Sequence, residues 1–446
     1  MTESEADVVD LLQGLIRNAC VNDGAITSGG EARNIDLLES VIAGDGIDIE
    51  RFEPFPGRAN LVARLSGSDP KAPSLALMAH ADVVPVSEDR WRRDPFGGEL
   101  IDGEVWGRGA VDMLNLTSSM AIAFKRLARQ GFRPRGDLLY IAVADEETGG
   151  EAGAKWLVEH EPDAIRTDYL LTEFGGMRVP TAPPDRPTFP VAVAEKGANW
   201  VKIRFRGTPG HASLPLGTDN ALVKASTAVQ RLAEFSPRAR TGGVWGSFVD
   251  GLGLPDDVAA ALKDPDAVEQ MTTLIPDPAL QRLLNACTHT TIAPTMLHAG
   301  VKTNVIPDFA EIEADVRVLP GEGPEDIDRI VREALGDLAG DAEVEITISG
   351  RATSSPEQTP LWESLRAATA RMVPGARTIP MLLAGATDSR FFRTLDTVCY
   401  GFGLYSNRLS FAEFGAMFHG DDERIDVESL AMTTDLWEAV ATDLLG

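Results

Sequence analysis

Two periods of apolar residues alternate along the first part of the chain. Val8, Val9, Leu11, Leu12, Leu15 and Ile16 recur at helical spacing, and Asn34–Ala43 repeats that pattern. Arg58–Leu65 and Ser74–Ala79 are short apolar runs that read as strands. Leu116, Met120, Ala123, Phe124 and Leu127 share one face of a helix predicted from Leu116 to about Gln130, with Gly131 as its stop. Asp137–Ala144 is another apolar strand, Ala154–Val158 opens a helix, and Tyr169–Thr172 is a short strand. Strands alternate with helices, so roughly the first 190 residues are expected to form an α/β domain with a largely parallel sheet.

The pattern changes near residue 196. Val201, Ile203 and Phe205 alternate with polar residues, the signature of a half-exposed strand. Leu222, Ala225, Val229 and Leu232 then mark a helix, and Ala293–Gly300 a strand. Glu311–Val318 alternates strictly, Ile327 to Leu338 is helical, and Val344, Ile346 and Ile348 mark a last strand. The order β-α-β-β-α-β predicts a ferredoxin-like split unit. Residues 235–292, rich in Pro, Asp and Ala, are expected to form a helical insert within it. After Gly350 the α/β character resumes. The chain therefore reads as a discontinuous α/β domain in two parts, 1–195 and 351–446, with an inserted α+β domain at 196–350.

Composition narrows the partners. Lys plus Arg number 41 against 68 Asp plus Glu, a net charge of -27. That argues against nucleic acid or an anionic membrane as a partner, and means that an anionic substrate needs a local basic pocket. Cys20, Cys287 and Cys399 form neither a disulfide framework nor a zinc-ribbon spacing, which fits a reducing cytoplasm. The amino terminus is acidic, and no apolar run approaches membrane-spanning length.

The candidate chemistry sits where predicted strands end. His80 closes one strand, with Asp82 two residues on. Asp112 lies between a hairpin and a helix, Glu146 and Glu147 end a third strand, and Glu173 ends a fourth. His419 lies in Met417-Phe-His-Gly-Asp421. Each also has a plain structural reading: Asp112 as a turn residue, Glu146 and Glu147 as a helix cap, His419 as part of a surface turn. Sites in open α/β sheets collect outside the carboxyl ends of strands. If these ends converge, several carboxylates are desolvated together, and they need cations to stay ionised. Mixed His and carboxylate ligands suit two divalent metal ions, zinc first, with cobalt or manganese as alternatives. A free glutamate beside such a site is a natural general base.

The chain resembles the M20 family of dinuclear metallohydrolases, which includes aminoacylases, desuccinylases, deacetylases, dipeptidases and carboxypeptidases. The resemblance rests on Met78-Ala-His-Ala-Asp-Val-Val-Pro85, Trp106-Gly-Arg-Gly-Ala-Val-Asp-Met113, Ala144-Asp-Glu-Glu-Thr-Gly-Gly150, Gly207-Thr-Pro-Gly-His211, Thr303-Asn-Val-Ile-Pro307 and Gly385-Ala-Thr-Asp-Ser-Arg390, in family order. It implies that His80 and Glu173 bind one metal, that Glu147 and His419 bind the other, and that Asp112 bridges them, with a cis peptide after it. It further implies that Asp82 supports His80, that Glu146 is base and then acid, and that His211, with Asn304, stabilises the oxyanion. Arg317, Arg390 and Thr387 are the implied contacts to a small substrate with a free carboxylate. Strict alternation, however, groups Arg317 with Glu311, Glu313 and Asp315 on a polar face. The inserted domain is implied to act as a lid and to dimerise. The expected reaction is hydrolysis of an amide bond in a dipeptide, peptide or N-acyl-amino acid by a metal-activated water. The alternatives are a non-catalytic metal- or ligand-binding relative, which would lack a base or ligand, and a dinuclear phosphoesterase, which would want more His and Asn ligands and a basic pocket.

Overall fold

The computed structural model describes residues 2–180 and 185–446. The chain divides into two compact units. The first comprises Met1–Val193, Ser355–Met381 and Thr387–Gly446; the second comprises Ala194–Ser354 and Leu382–Ala386.

The centre of the first unit is a run of parallel strands in the order Leu138–Val143, Leu75–His80, Tyr169–Thr172 and Val398–Gly401. Arg58–Leu65 pairs antiparallel with Leu138–Val143, and Asp48–Phe55 pairs antiparallel with Arg58–Leu65. Every residue of Leu75–His80 and Leu138–Val143 is buried, as expected for parallel strands covered on both faces. Leu114–Arg129 packs on one face, with Glu3–Arg17, Ala32–Ile42 and Val427–Leu445 around it. On the other face Ala76, Met78, Leu139 and Ile141 meet Ala154 and Leu157 of helix Ala154–His160, and Phe392 of Ser389–Phe392.

Helix Leu114–Arg129 departs from the amphipathic reading. Its polar positions Asn115, Thr117, Ser118 and Ser119 are buried as well as its apolar ones. The hydroxyls are satisfied locally: Ser118 donates to Asn115 O at 3.0 Å, and Ser119 to Leu116 O at 3.1 Å. Trp437 Nε1 then donates to Ser119 Oγ at 3.1 Å. A small hydroxyl that bonds its own backbone can face a neighbouring helix without an unpaired group.

The second unit is a sheet in the order Thr291–Ala299, Phe309–Val318, Gly197–Arg206 and Ala342–Ile348, antiparallel throughout. Helices Ala221–Glu234 and Pro324–Leu335 cover one face through a core that includes Ile203, Phe205, Leu232, Ile312, Val316 and Ile330. In chain order the strands lie 4-1-3-2, the arrangement of the split β-α-β-β-α-β unit. Phe309–Val318 alternates half-buried and buried without a break, and this puts Arg317 on the half-buried polar face. Between the first helix and the second strand lie helices Gly243–Leu252, Asp256–Lys263, Val268–Thr273 and Pro278–Thr288. Among the described residues, no helix is long and apolar enough to cross a membrane.

Ile312 is fully buried at the middle of the sheet of the second unit. Ile312→Ala is expected to cost about 2–5 kcal/mol of stability through lost burial and the cavity left behind. Urea unfolding should show a lower midpoint with the slope unchanged.

Candidate metal centre

The four parallel strands end together, and three of them deliver side chains to one place. His80 is the last residue of Leu75–His80. Its Nδ1 faces Asp82 O at 3.0 Å and Asp82 Oδ1 at 3.4 Å. Its Nε2 faces Asp112 Oδ1 at 3.3 Å and Glu173 Oε2 at 4.0 Å. Glu173 directly follows strand Tyr169–Thr172. Thr117 Oγ1 donates to His80 O at 2.7 Å and so ties helix Leu114–Arg129 to the strand.

Asp112 lies in the loop before that helix, and the Asp112–Met113 peptide is cis. Its Oδ1 faces His80, while its Oδ2 lies 3.3 Å from His419 Nε2. His419 Nε2 also lies 3.1 Å from Glu147 Oε2. The loop is held from the His419 side. Glu423 Oε2 accepts from Gly109 N at 2.8 Å and Val111 N at 3.2 Å, and Glu423 Oε1 pairs with buried Arg108. One carboxylate thus binds the Asp112 loop to the segment that carries His419.

Glu146 and Glu147 lie in a short 3-10 turn, Glu146–Thr148, after strand Leu138–Val143. Asp145, which leads into it, is left-handed at φ 69°. Asp82 accepts from Glu146 N and Glu147 N, each at 3.3 Å, one on each oxygen. The far end of the turn is held by Arg390, whose Nη2 donates to Gly149 O at 3.2 Å. Further on, a Cβ at Gly153 would collide with the Ala144 carbonyl, so that position requires glycine.

The donors form two triads that share Asp112. One is His80, Asp112 and Glu173; the other is Asp112, Glu147 and His419. The donor atoms within each lie within 4.8 Å of one another. The chemistry of the set fits two divalent cations: imidazole and carboxylate donors in threes, with the shared carboxylate turning one oxygen to each side. Glu147 Oε1 adds an independent sign, because it is buried and has no hydrogen-bond partner.

The electrostatics agree with that fit. Burial pushes Glu146 and Glu173 well above the ordinary carboxylate range, and neighbouring carboxylates push them further. Burial, and then the charge of Asp112, raise Glu147. Burial would also raise Asp112, but hydrogen bonds from His419 and His80 hold it below the usual value. His419 is pushed up to about 10 by its bonds to Asp112 and Glu147. His80 is raised as well, because its carboxylate partners outweigh the effect of burial.

The model of peptidase family M20/M25/M40 matches residues 76–443. The chain belongs to this family. It is accordingly an enzyme of the metallopeptidase and amidohydrolase type, one that hydrolyses amide bonds with the help of metal. This M20 chain is 28% identical over 372 residues to N-fatty-acyl-amino acid synthase/hydrolase PM20D1 of Homo sapiens, covering 82% of this chain and 73% of that one. It is 26% identical over 448 residues to aminoacylase-1 of Mus musculus, covering 99% and 96%. Among solved structures, the M20 family metallo-carboxypeptidase Sso-CP2 from Sulfolobus solfataricus has the same fold, with a TM-score of 0.71 at 16% identity over 100% of this chain and 99% of that one.

The other residues singled out from the M20 segments fall in separate places. His211 and Asn304 are neighbours in the second unit, where Gly210–His211 pairs with Val305–Ile306 and Ala212 N donates to Asn304 O at 3.1 Å. His211 is exposed, and its Nδ1 lies 2.7 Å from Ser213 Oγ. Arg317 is engaged by its own strand: Nε and Nη2 donate to the two oxygens of Asp315 at 2.7 and 2.9 Å. Thr387 is buried beside Ser389, and Arg390 Nη1 donates to Thr387 O at 2.9 Å. The sequence assigns no role to five buried residues behind the triads: Asn22, Glu31, Arg58, Arg108 and Glu423. They follow no period, and their only sequence signal is proximity to recognised segments, as with Arg108 and Glu423.

Burial raises Glu31, Asp388 and Glu423 to about 7 each. A carboxyl with a raised folded pKa favours the folded chain below its unfolded value and loses that contribution as pH rises through the folded one. With chelator present, the melting temperature is expected to fall between about pH 5 and about pH 8. Thermal melts across that range check it; a flat or rising trend contradicts it.

Proposed function

We propose that the chain hydrolyses the amide bond of an N-acyl-amino acid or a dipeptide that carries a free carboxylate. The observation that carries this reading is the pair of donor triads sharing Asp112, with Glu146 beside them on the turn of Glu147. In this reading His80, Asp112 and Glu173 hold one divalent ion, and Asp112, Glu147 and His419 hold the other, with zinc the first choice and cobalt or manganese the alternatives. When bound, such ions polarise the scissile carbonyl and lower the pKa of water. Glu146 accepts the proton of the attacking water and returns it to the leaving nitrogen. Burial suits it to that task, since a desolvated carboxylate binds a proton more tightly than a solvated one. His211 and Asn304 are assigned the oxyanion, on the resemblance and on their pairing in the second unit. Arg390 is the better candidate for the substrate carboxylate, because Arg317 is already paired with the Asp315 carboxylate whereas Arg390 bonds neutral carbonyls. Thr387, whose carbonyl anchors Arg390, belongs with it.

The second unit also supports a homodimer. Edge strand Thr291–Ala299 exposes Met296 and Leu297, and helix Ala221–Glu234 exposes Leu222 and Val223. An unprotected edge strand beside exposed apolar residues is a common self-association surface. A dimerising lid and a cytoplasmic site of action complete the reading.

The deciding experiment is a panel of dipeptides and N-acyl amino acids, run on the metal-loaded protein and on Glu146→Gln. The wild type is expected to hydrolyse at least one class. The variant should lose about 10²- to 10⁴-fold in kcat with both metals retained. A fully loaded wild type that is silent across the panel would turn the reading toward a non-catalytic metal-binding relative. Light scattering should give a mass twice that of one chain, falling to one chain when Leu297 is replaced by Arg.

A further inference from the structure

Behind the triads lies a closed set of buried polar groups for which the reaction, as outlined, has no use. Asn22 is 1% exposed and its backbone is fixed, with Asn22 N donating to Val83 O at 2.9 Å. Its amide orientation is dictated by its neighbours. Oδ1 accepts from Gly24 N at 3.1 Å and from Ser28 Oγ at 3.2 Å, so Nδ2 must point the other way. There it meets Asp82 Oδ2 at 2.9 Å, Asp145 Oδ1 at 3.1 Å and Thr148 Oγ1 at 3.0 Å.

These contacts join the two anchors of the turn that carries Glu146 and Glu147. Asp82 faces His80 and accepts the backbone N–H groups of Glu146 and Glu147. Asp145 is the left-handed residue from which the turn starts. Its Oδ1 also accepts from Arg58 Nη2 at 2.7 Å and Thr148 Oγ1 at 2.6 Å, and its Oδ2 from Ala152 N at 3.0 Å. Arg58 is held in turn by Glu31, at 2.8 and 2.9 Å. Two buried carboxylates, Glu31 and Asp145, thus share the Arg58 guanidinium, while Asp82 faces His80. The neutral amide of Asn22 donates to both Asp82 and Asp145, so the two carboxylates meet across one shared hydrogen-bond donor.

We propose that Asn22 is a positioning residue for the hydrolysis: by bonding Asp82 and Asp145 together it fixes the turn that points Glu147 at the shared Asp112 side and leaves Glu146 free to move a proton. Adjacent residues on a tight turn diverge only while its backbone is held. The amide links that backbone to the partner of His80. The inference rests on the amidohydrolase reading above, and it makes Asn22 matter to kcat while leaving substrate binding alone.

The test uses Asn22→Leu, which keeps the side-chain length and removes the donor, and Thr148→Val, which removes the neighbouring hydroxyl at an exposed position. Each is loaded with zinc and compared with wild type on the best substrate of the panel. For Asn22→Leu, kcat should fall about 10- to 100-fold with KM within about twofold and metal content unchanged. Thr148→Val should fall less, and the double variant less than the product of the two. Hydrogen exchange of the metal-free proteins gives a second readout that needs no substrate. The amides of Glu146 and Glu147 should exchange about tenfold faster in Asn22→Leu, without a matching change in the core strands. If Asn22→Leu does not fold, Thr148→Val decides by the same two readouts. A folded variant with wild-type kcat and wild-type exchange overturns the proposal, as does a loss of kcat that follows metal loss. A silent wild type with the expected exchange difference would sink the amidohydrolase reading, and with it the role in hydrolysis, and leave standing only that Asn22 fixes the turn.

Discussion

Asp112 turns one oxygen toward His80 and the other toward His419, and the rest of the centre is arranged around that shared carboxylate. Four acidic side chains, Asp112, Glu146, Glu147 and Glu173, converge in a space mostly closed to water. Their mutual repulsion there is strong, and the two histidines offset it only by holding protons. Divalent ions satisfy the same demand with charge that does not depend on pH. The local geometry is therefore one in which cation binding is favoured by the groups that would otherwise oppose folding.

The parallel strands make that convergence attainable. Their carboxyl ends lie side by side, so a residue at the end of Leu75–His80, one just past Val143 and one just past Thr172 come together although they are far apart in sequence. Full burial of both faces leaves the strand ends as the natural outlet for polar side chains. The loops that complete the centre are fixed by buried charge: Glu423 and Arg108 hold the Asp112 loop, and Arg58, Glu31 and Asn22 hold the start of the Glu146 turn. Breaking such a pair strands a buried charge, so the supports resist local change more strongly than surface ion pairs would.

The second unit is built on a different rule. Its sheet buries one face against two helices, and strict alternation sorts the residues of Phe309–Val318 to one side or the other. That sorting decides the state of Arg317, which stays among the carboxylates of its own strand. Gly210–His211 and Val305–Ile306 are short, and their pairing is what brings His211 next to Asn304.

Much of this was legible in the residues alone. Apolar runs ending near His80, Glu147 and Glu173 marked the strands and their outlet, because a strand covered on both faces leaves a short continuous apolar run. The alternation of Glu311–Val318 likewise foretold which side Arg317 would take. Other features depended on tertiary structure. The polar face of Leu114–Arg129 reads as solvated in sequence, and only the packing of Val427–Leu445 against it shows that it is buried. Strand Thr188–Glu195 is buried at every position, but Pro190 interrupts its apolar run and argues against a strand in the sequence. Asn22, Glu31 and Arg58 are polar residues at aperiodic positions, indistinguishable in the chain from surface residues. Their partners lie as far as 126 residues away, so their roles exist only once the strands are assembled. A covered face imprints its period locally, whereas a buried polar contact is defined by both partners, and the chain names only one at a time.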